Sequence, residues 1–150
     1  MPELADNLHF SEKVEKLKPS GIRIFDNKVS EIPNIIKLTL GEPDLNTPEH
    51  VKKAAVKSIE ENDSHYAPQK GKRELLEAIS RFLDKTIHVK YDPKSEIVAT
   101  VGATEAINAA IFALFNPEDK ILVPTPVFSL YWPVANLAGV QYSLVNTASD

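Results

Sequence analysis

The hydrophobic and polar positions of this chain fall into a strand–loop–helix rhythm from Ile35 onward. Ile35–Leu40 is a short β-rich run, followed by a loop from Gly41 to Pro48 with two prolines. Thr47 suits a helix N-cap and Pro48 a first helical position. Val51, Ala54, Ala55 and Ile59 then recur at helical spacing. The loop Asn62–Gly71 leads into a second helix with the stripe Leu75, Leu76, Ile79, Phe82, Leu83 and Ile87. Glu96–Val101 reads as a strand. Thr104–Phe115 reads as a helix that is apolar nearly all round and therefore buried. A short strand at Ile121–Val123 and a helix over Phe128–Ala138 come next, with Gly139 as C-cap despite Pro133. Val140–Val145 is the last predicted strand.

The first 34 residues differ from the rest. They hold two short amphipathic pieces, Ser11–Leu17 and Ser20–Ile32, separated by Lys18-Pro19, with Ser20 placed to cap the second. The predicted organisation is an N-terminal arm or part of a small domain over 1–34, and the first, incomplete part of a larger domain over 35–150. Strands alternating with helices predict an α/β fold with a largely parallel sheet and flanking helices. A parallel sheet needs cover on both faces, and the last predicted strand has no helix after it. A longer protein, or completion by another chain, is the expectation.

Composition narrows the function. The chain has 150 residues and no cysteine, which removes disulfides, cysteine-based metal sites and thiol nucleophiles. Its net charge is −4, so it offers no electrostatic basis for binding nucleic acid or an anionic membrane. The longest apolar run, Ala109–Phe115, is too short for a bilayer. Met1–Asp6 has neither the basic flank nor the apolar stretch of a signal peptide, so a cytoplasmic location is expected. His9, His50, His65 and His88 lack metal-ligand spacing, and Ser20 and Ser129 have no base nearby in sequence.

Four loops carry candidate chemistry. At Thr100-Val-Gly102-Ala103-Thr104 a strand ends at a glycine and small residues open a helix, aiming backbone N–H groups and the positive helix end at one spot. An ordinary strand–helix turn with Thr104 as cap is the plainer alternative. It is neither a dinucleotide nor a Walker glycine pattern. Gly41, in Gly41-Glu-Pro-Asp44, can present a bare N–H to a carboxylate, or simply make a turn. Tyr66, in Tyr66-Ala-Pro68-Gln-Lys-Gly71, can donate to a phosphate or merely pack. Phe128, in Pro126-Val-Phe128-Ser-Leu-Tyr131, can stack on a planar ligand or join a core.

In this order the segments resemble the fold type I, pyridoxal-phosphate-dependent aminotransferases of class I/II. The resemblance runs from about Pro19 to about Val145. Its landmarks are Ser20–Arg23, Leu40–Asp44 with Thr47-Pro48, Tyr66-x-Pro68-x-x-Gly71, Glu74-Leu75, Gly102–Glu105, Asn116-Pro117 with Asp119, and Pro126-x-Phe128-x-x-Tyr131. Leu76 stands where the family usually has arginine, and Glu118 where it usually has glycine. The resemblance implies pyridoxal 5'-phosphate as cofactor. Ala103 and Thr104 would hold its phosphate, Gly102 would make room, and Phe128 would stack on its ring. Tyr66 would reach the phosphate of a neighbouring subunit in a homodimer, and Gly41 would meet the substrate α-carboxylate. The implied reaction moves an amino group from an amino acid to a 2-oxo acid. The family's Schiff-base lysine matches no lysine here, so this chain alone is expected to be inactive, with no catalytic residue of its own. The alternatives are another reaction on the same scaffold, a C–S β-lyase or a cyclopropane-carboxylate synthase type, or a non-catalytic truncated interaction fragment.

Overall fold

A computed structural model describes residues 9–148. Leu8 and the extreme N-terminus, which enter the arm and signal-peptide expectations, lie outside the described residues. Among the described residues six helices form: α1 Glu12–Glu15, α2 Gly21–Ser30, α3 Glu49–Glu60, α4 Arg73–Ile87, α5 Gly102–Leu114 and α6 Tyr131–Ala138. The same residues form two strands, β1 Lys120–Thr125 and β2 Gln141–Asn146. They pair in parallel, from Lys120 opposite Gln141 to Thr125 opposite Asn146. Parallel neighbours need a crossover, and α6 supplies it, giving a β–α–β unit. The α/β class and the parallel pairing therefore agree with the pattern in the sequence.

The described residues divide into two compact units. One holds those up to Gly41 together with those from Ala103 onward, and the other is Glu42–Gly102.

In the first unit the core gathers Ile111, Val134, Ala135 and Val140, with Ile107, Ile121, Leu130, Ala138 and Tyr142 packed against it. Helices α5 and α6 thus meet the strand pair through their apolar stripes. Val123, at 2% exposure, is buried in the middle of β1. At the end of α6, Gly139 takes φ +80, as expected for its C-cap. Pro133 is tolerated because it lies in the first turn of α6, where its missing N–H interrupts nothing. The helix begins at Tyr131 rather than Phe128, so residues 126–130 stay in the loop that precedes it.

Other expectations are corrected. Ile35–Leu40 is not a strand. It runs extended beside α2, where the Thr39 hydroxyl donates to Asp26 and the Lys37 ammonium to Ser30 Oγ at 2.6 Å. Between this segment and α2 lies an apolar cleft of about 610 Å³. With no hydrogen-bonded neighbour, the run's β propensity has no ladder to join. Ser20 precedes α2 but makes no side-chain cap bond. The α5 helix is far from buried all round: Ile111 is its one buried residue, and Phe112 and Leu114 are exposed.

In the second unit, α3 carries its predicted apolar spacing yet buries none of those residues. Its N-cap is Pro48, one position later than Thr47 was expected to act. The α4 helix buries Leu76 and Ser80, and the Ser80 hydroxyl donates to the Tyr91 carbonyl at 2.6 Å. Leu75, Phe82 and Ile87 of the predicted stripe are exposed. His88 closes α4 in the left-handed conformation. Glu96–Val101 is also not a strand. Ile97 is buried, and the Ala99 N–H donates to the carbonyl of Lys70 at 2.8 Å, so this segment bonds to the loop before α4 and, among the described residues, to no strand.

Candidate functional site

The turn before α5 is built by one hydroxyl and one glycine. The Gly102 N–H donates to the Thr100 carbonyl at 2.9 Å, and the Thr100 hydroxyl donates to the Gly102 carbonyl at 3.0 Å. Gly102 has φ +80, a conformation side chains resist, and a Cβ placed there would meet nothing within 4 Å. The backbone is therefore open to close approach at this point. Ala103 and Thr104 follow inside the first turn of α5, where amide N–H groups have no intrahelical acceptor. Thr104 is accordingly not the cap: the helix has already begun two residues earlier. Small side chains, outward N–H groups and the positive helix end fit a phosphate monoester.

Phe128 lies in the loop after β1, 64% exposed, with its ring free to meet a planar group. The end of β1 that carries this loop is tied to β2. Thr147 N–H and hydroxyl both donate to the Thr125 carbonyl, at 2.8 and 3.0 Å, and the Thr125 hydroxyl donates to the Val145 carbonyl at 3.3 Å. Thr125 and Thr147 were not singled out in the sequence. A hydroxyl residue at the last position of one strand and just after the end of the other is the signal that marks them.

Gly41 is exposed, and a Cβ there would also meet open space. Tyr66 is fully exposed in the loop between α3 and α4. Gly102, Ala103 and Thr104 are brought together by one turn of backbone. Tyr66 belongs to the other compact unit than Phe128 and Gly41. In the Tyr66 loop, Gly71 has φ +112, and a Cβ there would lie 2.9 Å from Ala99 Cβ. The Lys72 ammonium pairs with Asp63, and this bond holds the Asp63 carboxyl below its ordinary 3.8. Among the described residues no cluster of histidine, aspartate and glutamate is placed to hold a metal ion, and no helix is long and apolar enough to cross a membrane.

An open, left-handed glycine at the start of a helix, in a chain that also holds a parallel β–α–β unit, is an α/β arrangement whose helix N-terminus can accept an anion. Residues 33–150 match the family model described as "Aminotransferase class I and II", so the chain belongs to the class I and II aminotransferases. It is 41% identical over 137 residues to a probable N-acetyl-LL-diaminopimelate aminotransferase of Bacillus subtilis, covering 91% of this chain and 35% of the relative. It is 36% identical to an aspartate aminotransferase of Pyrococcus abyssi, covering 86% of this chain and 33% of that one. Among solved structures, the N-succinyldiaminopimelate aminotransferase of Mycobacterium tuberculosis superposes with a TM-score of 0.87 at 29% identity, covering 95% of this chain and 37% of that one. The aspartate aminotransferase of Thermus thermophilus with maleate gives 0.86 at 32% identity, covering 94% and 38%. These neighbours have the fold type I architecture, and this chain shares it. The chain spans about a third of the length of the curated relatives it matches.

Proposed function

We propose that these residues form the N-terminal portion of a homodimeric, cytoplasmic aminotransferase that moves an amino group between an amino acid and a 2-oxo acid with pyridoxal 5'-phosphate. Residues 1–34 are then an arm or part of a small domain, and 35–150 the first part of the cofactor-binding domain. The observation that carries the reading is the start of α5: an open, left-handed Gly102 followed by the Ala103 and Thr104 amides.

In this reading the two amides donate to the phosphate oxygens, and Gly102 lets the phosphate approach. The Phe128 ring orients the pyridine by stacking. The Tyr66 hydroxyl donates to the phosphate of the partner subunit's site, and the Gly41 N–H to the substrate carboxylate. The cofactor, when bound, supplies an electron sink for the substrate's α-carbon. Proton transfer at that carbon needs a lysine amine, and no lysine here stands in a matching motif, so the chain alone does not turn over.

The test uses the intact protein. Amino acids, among them aspartate, aromatic amino acids and N-acetylated diaminopimelate, are offered with a 2-oxo acid, and the aminated acceptor is measured by chromatography. Elimination products without an aminated acceptor would instead favour a lyase on the same scaffold. Thr104→Pro removes one phosphate donor while leaving a first turn that tolerates proline. A charge-assisted hydrogen bond of this kind is worth roughly 1.5–3 kcal/mol, so the cofactor Kd should rise by one to two orders of magnitude. Unchanged affinity in the folded variant would remove the turn from the phosphate site.

A further inference from the structure

Helix α1 is four residues long and buries none of them. A helix that short is not stable in water by itself, and apolar packing does not hold it, so something else must. Its neighbour is α6. The last carbonyls of α6 are largely satisfied by the turn that follows. The Val140 N–H donates to Ala135 at 2.9 Å and the Gly139 N–H to Asn136 at 3.1 Å, the pairing of a glycine-terminated helix. The Leu137 carbonyl receives a donor from the far end of the chain: the Lys13 ammonium, at 3.0 Å. The same ammonium lies 3.6 Å from where a Cβ on Gly139 would stand, so the glycine also leaves it room.

We propose that Lys13 is a strap that fastens the N-terminal helix to the C-terminal end of α6. A cation there meets both an open carbonyl and the negative end of the helix dipole. Because Lys13 is exposed, the strap is sensitive to salt, and its release frees α1 without unfolding the β1–α6–β2 unit. The amides of Val14, Glu15, Lys16 and Leu17 report it, since each donates within this one turn.

The test is residue-resolved hydrogen exchange on the intact protein. Lys13→Met keeps the stem and removes the charge. It should lower protection at these four amides by about two- to fivefold, the usual worth of a cation at a helix C-terminus, and leave the β1 and β2 amides unchanged. Lys13→Arg should retain protection. Unchanged protection in Lys13→Met overturns the strap, and so does an equal loss across β1 and β2, which would mark an ordinary stabilising residue. Should the methionine variant not fold, the native protein decides. Raising salt to about 1 M should lower the same four amides selectively, and no change would overturn the proposal.

Discussion

Lys120–Thr125 and Glu96–Val101 are sequences of the same kind: six residues, rich in β-branched side chains, each ending near a turn. The first is a strand and the second is not. Their propensities do not separate them. β1 has β2 beside it in register along its whole length, while 96–101 has local turn bonds at Glu96 and Thr100 and a bond from Ala99 to the loop carbonyl of Lys70, none of them a ladder. A strand's hydrogen bonds lie outside itself, so the same local pattern is extended chain in one place and sheet in another. Burial is more even: each segment seals one side chain, Val123 in β1 and Ile97 in 96–101, while Leu122 of β1 and Val98 and Val101 of the other face outward.

The largest effect that would sharpen this comparison is a charge in each segment. Val123→Asp should destabilise by roughly 3–5 kcal/mol, because an unpaired carboxylate replaces a buried side chain. Val98→Asp, at an exposed site, should stay within about 0.5 kcal/mol. Denaturant melts of the two variants measure both. Equal losses would mean that 96–101 is packed as tightly as β1 and that the contrast fails.

Next comes the contact that stands in for a strand neighbour. Gly71→Ala should cost at least about 2 kcal/mol, since its φ of +112 resists a side chain and the new Cβ would press on Ala99. Gly21→Ala is the control in the other unit. Gly21 opens α2 with open space around it and no positive φ, and the change should stabilise by about 0.4–1 kcal/mol through the unfolded chain. Thermal melts with opposite signs are the expected result.

The smallest effect concerns the loop's other tie. The Lys72 hydrogen bond and charge depress the Asp63 carboxyl below 3.8. A depressed carboxyl contributes stability above its unfolded pKa, and that contribution is lost as pH falls through the folded value. Both groups are exposed, so salt should weaken it further. An NMR titration should place Asp63 below an ordinary aspartate and return it to that range in Lys72→Met.

Much of the candidate site was legible because its signals are local. The glycine before a helix, the small residues after it and the aromatic in a strand-end loop are read directly at Gly102, Ala103, Thr104 and Phe128. The cap of α3 was misplaced by one residue, because both Thr47 and Pro48 carry helix-start chemistry and propensity does not choose between them. Thr125 and Thr147 escaped notice for a different reason: their bonds span 22 residues.

By itself the sequence determined the helices α3 to α6 in outline, the glycine turns at Gly102 and Gly139, the α/β class and the family, since each depends on neighbours within a few positions or on motifs in order. Tertiary structure alone decided which apolar runs became strands, which helix faces were buried and which distant groups met, as Lys13 meets Leu137. The physical reason is range. Helical hydrogen bonds close over four residues, while sheet pairing, burial and a cation on a far carbonyl require two parts of the chain that the local pattern never names together.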